Sequence, residues 1–484
     1  MLSRRQFLSQ SAAVTAGFAG LHLFAQHGRA EAALLAQESH ARFGGLLQDP
    51  HGVLDLPAGF SYRVISKAGE RMDDGFFVPG LHDGMGCFEG PDNTAILVRN
   101  HEVTGHVARL GPFGWRDEQL DRLEPGALYD HGFGLTPCTG GTTTVVYDLR
   151  RQEVVRHYLS LAGTARNCAG GLTPWNSWIT CEETVQRADA KHEQDHGYNF
   201  EVPASPNIGL APPIALKAMG RFNHEAVAVD PESGAVYQTE DRQDGALYRF
   251  LPDHPGELHR GGKLQAMVLR GHASCDTRNW REAPDELTAG GAGPDGFVHR
   301  VEDFAGIEPG AVFDVDWIDL DDVEAPDDDL RYRAFAAGAA RFARGEGMWY
   351  GHESVYFACT TGGHRGKGQV WRYVPSRFEA QPDEARFPGR LELFIEPNDE
   401  TLLQHADNLC IAPWGDIIAC EDGGPVNHIV GITPEGALYK IARNSMNGSE
   451  FAGSCFSHDG STLFVNIQSA GITLAITGPW RDVQ

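Results

Sequence analysis

The sequence is poor in positive charge, and this shortage excludes several classes of protein. It carries 40 lysines and arginines against 66 aspartates and glutamates in 484 residues, a formal net charge of −26. A chain this acidic would repel nucleic-acid phosphates and anionic lipid, so we expect neither a nucleic-acid partner nor a stable membrane association. A small anionic substrate remains compatible with the charge if bound cations reverse the local field.

Several catalytic motifs are also missing. No Gly-x-Ser-x-Gly nucleophile elbow occurs, and Gly366-Lys367-Gly368 lacks the Ser/Thr and the leading glycine of a P-loop. His101 and His106 are one residue too far apart to share a helix face as zincin ligands do. The nine cysteines form no Cys-x-x-Cys pair, and their odd number leaves at least one thiol unpaired in an exported protein.

Long apolar runs are absent except at the N-terminus. The run at residues 12–24 is too short, and too rich in Ala and Gly, to span a bilayer comfortably. It follows the twin arginine Arg4-Arg5 and precedes a candidate Ala-x-Ala cleavage site at Ala30-Glu31-Ala32. This order predicts a twin-arginine signal peptide at residues 1–32, recognised by the Tat export machinery, and a periplasmic or extracellular protein. Its removal takes away three arginines and one glutamate, which changes the charge to −28.

The rest of the chain is rich in turn residues and contains a repeated unit. Glycine and proline number 58 and 27. The unit is an apolar strand, a turn, a second apolar strand and a short polar cluster, with the alternating pattern of a β-hairpin. Six copies begin near Cys87, Cys168, His224, Glu346, Asp407 and Phe451.

Repeated all-β units of this kind predict a β-propeller, whose blades bury their faces against their neighbours. We therefore predict an all-β fold: one six-bladed β-propeller domain over residues 50–484, with inserted loops and short helices. The largest insertion lies between the third and fourth copies and carries the acidic loop 321–329 and a predicted helix around residues 333–344. A β-sandwich with a second domain is the alternative, because the copies are unevenly spaced.

The polar residues of the repeat fall at two matching positions, which a propeller would arrange in a ring around its central channel. Carboxylates gathered there would repel one another unless cations neutralised them. Oxygen ligands in that number suit Ca²⁺ or Mn²⁺, and a thiolate beside them favours a softer metal such as iron. The alternative is that these are ordinary turn residues at strand ends. The candidate metal ligands are Glu102, Cys181, Glu182, Glu225, Glu240, Asp241, Glu346, Asp407, Asn408, Glu421 and Asp422. The sequence leaves open which member of each adjacent acidic pair, such as Glu182 and Glu183, would bind metal.

A set of short motifs carries a family resemblance over about residues 50–480. They are Gly140-Gly141-Thr142-Thr143-Thr144, Ala165-Arg166-Asn167-Cys168-Ala169-Gly170-Gly171, Trp178-Ile179-Thr180-Cys181-Glu182-Glu183, Asn223-His224-Glu225, Thr239-Glu240-Asp241, Arg344-Gly345-Glu346 and Phe464-Val465-Asn466-Ile467-Gln468. With these motifs the chain resembles the PhoX-type alkaline phosphatases, which are exported propeller enzymes.

The resemblance implies a monomeric six-bladed propeller that hydrolyses a small phosphorylated substrate at a mixed Fe³⁺ and Ca²⁺ cluster in its channel. By this similarity Cys181 and Glu182 look like ligands on the iron side, completed by Glu225 or Glu240. The implied ligands on the calcium side are Glu102, Glu346, Asp407, Glu421 and Asp422.

Positive side chains must hold the phosphate charge that the metals leave. Arg166 and Arg344 each stand beside a candidate ligand and are the expected catalytic cations, with Lys367 as a third candidate. A structural salt bridge to a neighbouring carboxylate is the alternative role for either arginine.

Two other functions fit the same pattern. One is a calcium-dependent propeller lactonase or esterase, and the other is a non-catalytic propeller that binds a ligand and keeps its metals for structure. A pure calcium lactonase has no need for the Cys181 thiolate, and the two arginines favour phosphate over a lactone. The sequence therefore favours the secreted metal-dependent phosphomonoesterase.

Overall fold

The structure is a computed structural model that describes residues 42–124, 126–280 and 306–480. The predicted signal peptide lies outside these ranges. Within them the chain forms 26 strands, one α-helix and seven short 3-10 helices, so the predicted all-β class is confirmed. No helix in the described ranges is long and apolar enough to cross a membrane.

The bounds of the strands are β1 Leu46–Leu47, β2 Leu54–Pro57, β3 Ser61–Lys67, β4 His82–Glu89, β5 Thr94–His101, β6 Gly140–Asp148, β7 Glu153–Thr164, β8 Asn167–Leu172, β9 Ser177–Glu182, β10 Asn199–Pro203, β11 His224–Val229, β12 Val236–Glu240, β13 Leu247–Pro252, β14 Gly262–Leu269, β15 Val312–Asp319, β16 Gly345–Gly351, β17 Ser354–Cys359, β18 Gln369–Val374, β19 Gly389–Ile395, β20 Ala406–Ile411, β21 Ile417–Glu421, β22 His428–Ile432, β23 Leu438–Asn444, β24 Phe451–Phe456, β25 Thr462–Ile467 and β26 Ile472–Thr477. The 3-10 helices are Pro91–Asn93, Ala108–Leu110, Leu120–Arg122, Gly132–Gly134, Lys217–Met219, Leu258–Arg260 and Glu384–Arg386.

The helix α1, Leu330–Ala336, lies in the insertion between the third and fourth repeats. The helix predicted around residues 333–344 is therefore present, but it begins earlier and is shorter. Arg331 on α1 is buried and contacts Glu240 on β12, so the insertion is packed onto the propeller-like body.

The strands form antiparallel meanders in the order of the chain. Four strands, β4 to β7, make the first sheet, β8 to β10 the second, and β20 to β23 the core of a sheet that β2 and β1 extend. The meanders β11–β14 and β16–β19 are joined by β15 into one sheet of nine strands. The last sheet is β24, β25, β26 and β3, so that a strand from the N-terminal side completes the C-terminal meander.

The first strand of each meander lies at the centre of the molecule. These inner strands contact one another in a closed cycle, in which β4 follows β24: β4, β8, β11, β16, β20 and β24. The arrangement is propeller-like, with a central channel between the inner strands.

Glycine permits the close approach of the inner strands. A Cβ atom on Gly171 of β8 would lie 2.0 Å from the carbonyl oxygen of Val227 on β11, and one on Gly347 of β16 would lie 2.5 Å from that of Asp407 on β20. Neither contact is possible for a larger residue. The Gly-rich starts of the repeats are thus required by packing around the channel.

An arginine with three histidines around it is buried in the first sheet. Arg99 is fully buried and donates to Ser66, Thr143 and Thr473, and also to the Nε2 atom of His157. Burial, and then the Arg99 charge, hold the pKa values of His82, His101 and His157 well below the usual range. The three imidazoles are therefore neutral in the folded protein.

Acidification is expected to destabilise the protein through these histidines. Their pKa values are lower in the folded than in the unfolded chain, so they contribute stability above about pH 6.5 that is lost as the pH falls below it, up to about 1.4 kcal/mol per pH unit for each histidine. Urea denaturation between pH 7 and 5 would measure the loss. His157→Gln keeps an acceptor for Arg99, so its stability should fall less steeply with acid than that of the wild type; an equally steep fall would contradict this assignment.

Candidate metal centre

One end of the channel is built from a backbone irregularity that recurs in every inner strand. Each of these strands has a register shift of one residue near its start, which inserts an extra residue into the pairing with the next strand. Such a bulge re-aims the side chains beside it. In each strand one residue directly follows the regular pair that precedes the bulge. In the order of the six strands these residues are Asp83, Cys168, Glu225, Glu346, Asp407 and Gly453.

A second recurring contact brings the ends of the second strands to the same place. In all six repeats, the first residue after the second strand donates its backbone N–H to the carbonyl oxygen of the residue that precedes the inner strand. The donor and acceptor pairs are Glu102 and Leu81, Glu183 and Arg166, Asp241 and Asn223, Thr360 and Arg344, Asp422 and His405, and Gln468 and Glu450.

Four of these acceptor residues have a left-handed backbone. Leu81, Arg166, Arg344 and His405 have φ between 47° and 52°, a conformation that costs energy for residues other than glycine. It recurs at four of the six equivalent positions, whereas Asn223 and Glu450 make the same contact without it. Both predicted catalytic arginines are held in this way above the starts of β8 and β16.

The side chains at the two positions converge into four overlapping groups of possible ligands. In each group one ligand atom from every member lies within 4.8 Å of the others. The groups are Glu102, Cys168 and Glu183; Asp83, Glu102 and Glu450; Glu225, Glu346 and Asp407; and Asp407, Asp422 and Glu450.

The two arginines bridge pairs of these carboxylates. Arg166 places Nε 2.9 Å from Glu102 and Nη2 3.0 Å from Glu183. Arg344 places Nε 2.8 Å from Asp241 and Nη2 2.7 Å from Glu346. Neither arginine is fully enclosed by its ion pairs, because 38% of the Arg166 side-chain surface and 27% of the Arg344 side-chain surface are exposed.

Negative charge remains in excess in this ring. Two guanidinium groups face nine carboxyl groups: Asp83, Glu102, Glu183, Glu225, Asp241, Glu346, Asp407, Asp422 and Glu450. Both oxygens of the buried Glu225 carboxyl group lack a hydrogen-bond partner among the described residues, which is costly unless a cation or a proton compensates.

The pKa values follow this crowding. Burial, and then the charge of Glu346, raise the pKa of Glu225 well above its usual range, and burial with the charge of Asp422 raises the pKa of Asp407 to about 7. Burial would also raise the pKa of Asp241, but the Arg344 guanidinium lowers it below its usual value. A ring of buried carboxyl oxygens that cannot all be charged without compensation has the donor chemistry of a multivalent cation site.

Most of the residues predicted from the repeat meet in this ring. Both arginines do, and so do six of the predicted metal ligands: Glu102, Glu225, Asp241, Glu346, Asp407 and Asp422.

The prediction that Cys181 belongs to the ring is wrong. Cys181 lies on β9 with no exposed surface, packed in an apolar cluster with residues such as Ile179 and Val227. The thiol in the ring is that of Cys168, which groups with Glu102 and Glu183. Because side chains alternate along a strand, the sequence would place Cys181 and Glu183 on the same face. The pairing of β9 ends at Glu182, however, so Glu183 lies beyond the strand and does not follow this alternation.

The choice within each adjacent acidic pair, which the sequence left open, is made by the structure: it turns the first residue of the pair away from the channel. Glu182 accepts hydrogen bonds from His196 and from the backbone of Ala165. Glu421 does the same with His428 and the backbone of Gln404. Three such glutamates stabilise the surrounding backbone, and each forms an ion pair with a buried or half-buried cation. The pairs are Glu182 with His196, Glu240 with Arg331, and Glu421 with Lys440.

The remaining two predicted residues stand outside the ring. Asn408 accepts the Gly453 N–H at 2.9 Å and donates to Asp407 at 2.8 Å, so it orients a candidate ligand. The Lys367 ammonium group lies 2.7 Å from Glu400, and its predicted catalytic role is not supported.

Asp83, Cys168 and Glu450 are absent from the predicted ligands, and the sequence left open whether Glu182 or Glu183 binds metal. The signal for Cys168 was present, since the Asn-Cys-Ala-Gly-Gly start of the second repeat corresponds to His-Asp-Gly-Met-Gly at residues 82–86. The first predicted copy begins at Cys87 and therefore excludes Asp83. No pattern in the sequence indicates Glu450. The sixth repeat carries Gly453 at the bulge position where the other five repeats carry a candidate ligand.

These features define a class: a propeller-like all-β protein with a candidate metal centre of carboxylates, one thiol and two arginines at one end of its channel. The family model for alkaline phosphatase PhoX matches residues 41–471. The chain therefore belongs to the PhoX family and is an alkaline phosphatase by that membership.

Comparison with solved structures finds one that supports the fold. Pseudomonas fluorescens PhoX, solved in complex with vanadate as a transition-state analogue, matches with a TM-score of 0.61 and 17% identity, covering 88% of this chain and 96% of that one. A gluconolactonase from Xanthomonas campestris matches with a TM-score of 0.37 and 12% identity, covering 88% and 97%. A search of curated sequences finds no match.

Proposed function

We propose that the ring binds metal ions and hydrolyses phosphate monoesters at the channel mouth. The observation that carries this proposal is the convergence of nine carboxyl groups, one thiol and two half-exposed arginines, with the Glu225 oxygens left unpartnered. The vanadate complex of the Pseudomonas fluorescens protein concerns a phosphoryl-transfer analogue, which supports the same reaction for this family member.

The propeller has six blades in this proposal. The six inner strands form a closed cycle, and each begins a meander of its own. The joining of two meanders by β15 reduces the number of separate sheets to five, which is why sheet count alone does not give six.

The two sides of the ring suit different metals. Cys168 with Glu102 and Glu183 offers one soft and two hard donors, which suits Fe³⁺. The calcium side offers oxygen donors alone, which suits Ca²⁺: Glu225, Glu346, Asp407, Asp422 and Glu450. When bound, such ions supply positive charge for phosphoryl oxygens and an activated oxygen nucleophile.

The arginines hold the substrate phosphate. Each uses Nε and Nη2 for its carboxylate partners, and Nη1 has no partner among the described residues. An Nη1 donor from Arg166 and one from Arg344 can therefore bind phosphoryl oxygens without breaking the ion pairs that position them. Their exposure at the channel mouth gives substrate access.

The predicted export completes the proposal. Residues 1–32 are the Tat signal, and the mature monomer acts in the periplasm or the medium on a small phosphorylated substrate. Export in the folded state would allow the metals to be bound before the membrane is crossed.

Metal removal tests the proposed function directly. Chelation of the purified protein should lower kcat/KM for phenyl phosphate at least about 100-fold. Loss of a residue that only orients a metal ligand already lowers activity about 10–100-fold, and loss of the metal itself should cost more. Metal analysis of protein from its native compartment should find iron and calcium, and adding them back should restore activity. Full activity in metal-free protein, or turnover of lactones without turnover of phosphomonoesters, would contradict the proposal.

A further inference from the structure

A cavity of about 320 Å³ opens beside the ring, on the side of Arg166. Its walls continue the three segments that carry the Arg166 ion pairs. Ala165 directly precedes Arg166, Thr184 directly follows Glu183, and Thr104 stands two residues after Glu102. The cavity wall therefore begins one or two residues along the chain from each member of the Arg166 ion pairs. The volume is sufficient for a small organic group.

The outer wall of the cavity carries positive charge and hydrogen-bond donors. Lys191 and His192 line it together with Gln186 and His106. The Nε2 atom of His106 is occupied by Asp117 at 2.8 Å, whereas His192 is bound by Asp189 only through Nδ1, at 2.9 Å.

The position of Lys191 is fixed while its charge is not neutralised. Its backbone N–H donates to Asp189 at 2.7 Å, and its carbonyl oxygen accepts the Thr136 hydroxyl at 3.0 Å. Among the residues that the structure describes, its ammonium group makes no ion pair. The Nε2 atom of His192 is also directed inward, 3.5 Å from where a Cβ atom of Gly105 would stand.

We infer that this cavity is a subsite for the leaving group and selects phosphate monoesters whose leaving group carries a second anionic group, a carboxylate or another phosphate. Lys191 is the residue that determines this specificity, with His192 beside it on the cavity wall. The inference rests on the proposed phosphatase function. In a protein of such negative charge, a lysine without an ion pair on the wall of this cavity offers a local attraction for an anionic group.

A pair of matched substrates tests the inference. Phenyl phosphate and 4-carboxyphenyl phosphate differ by one carboxylate on the leaving group. The wild type should show a kcat/KM about five-fold higher for the carboxylated ester, the upper range for an exposed ion pair, with the difference in KM. Lys191→Ala should abolish this preference and leave phenyl phosphate kinetics unchanged, and Lys191→Glu should reverse it.

Lys217→Ala is the matched control, because Lys217 is an exposed lysine remote from the cavity lining and paired with Glu324. It should keep the wild-type preference. A preference that survives in Lys191→Ala, or equal hydrolysis of both esters by the wild type, would overturn the subsite alone. Failure of the wild type to hydrolyse phenyl phosphate would overturn the proposed function and the subsite with it.

Discussion

Cys168→Ala is expected to lower kcat/KM for phosphomonoesters at least about 100-fold, whereas Cys181→Ala should leave it within about two-fold. The Cys168 sulfur lies with Glu102 and Glu183 in the candidate metal centre, and Cys181 is enclosed in an apolar cluster. Removing a thiolate ligand weakens metal binding more than the loss of an outer partner, which already costs about 10–100-fold. Removing the Cys181 sulfur deletes a small buried apolar group and affects stability instead.

Kinetics together with metal analysis separate the two variants. Purified Cys168→Ala should lose iron and keep most of its calcium, while Cys181→Ala should keep both and unfold at a slightly lower temperature. The two substitutions are chemically identical, so each serves as the control of the other. Iron loss in Cys181→Ala rather than in Cys168→Ala would restore the sequence-based assignment and contradict the structural one.

The repeat predicted the fold because each copy carries its own strand pattern. Period-2 apolar runs and turn residues are local signals, and six copies of them indicate a propeller without any knowledge of contacts. The closure could not be predicted in this way. The strand β3, Ser61–Lys67, pairs with β26 across almost the whole chain, and no local pattern identifies a partner at that distance.

The sequence predicted which part of each repeat contributes to the candidate site, but it did not always predict which residue does so. Adjacent acidic residues such as Glu182 and Glu183 are equivalent in a sequence, and only the end of the strand pairing decides which one enters the channel. The bulge has the same effect at Cys168, since an inserted residue changes the face on which a side chain lies. Six of the predicted candidate ligands and both arginines lie in the ring, but Asp241 and Asp422 are among them only because both members of their acidic pairs were predicted.

The first residue of each acidic pair instead supports the backbone beneath the ring. Glu182 is fully buried, lies 2.7 Å from His196, and accepts the Ala165 N–H that precedes the left-handed Arg166. Burial would lower the pKa of His196, but the Glu182 charge and the hydrogen bond to Asp130 raise it to about 12. His196 is therefore an imidazolium held between two carboxylates. Its contribution to stability is complete below about pH 6.5 and is lost progressively as the pH rises from there to about 12.

Glutamine substitutions at the two neighbours should consequently have opposite effects. Glu182→Gln keeps an oxygen for the Ala165 N–H but removes the charge that pairs with His196, and should lower the free energy of unfolding by about 3–5 kcal/mol, the usual cost of breaking a buried ion pair. Its activity per folded molecule should stay within about ten-fold of the wild type. Glu183→Gln should lower kcat/KM at least about 100-fold with little change in stability, because Glu183 lies in an already repulsive ring.

Urea denaturation in the presence of a chelator measures the stability of both variants without any contribution from bound metal, and kinetics with phenyl phosphate measure their activity. The pair Glu421 and Asp422 offers an independent repetition, since Glu421 is bound by Lys440 at 3.0 Å and Asp422 groups with Asp407 and Glu450. If Glu182→Gln abolished activity while Glu183→Gln unfolded the protein, the assignment of the two neighbours would have to be exchanged. The division holds only if, in both pairs, the first carboxylate governs stability and the second governs catalysis.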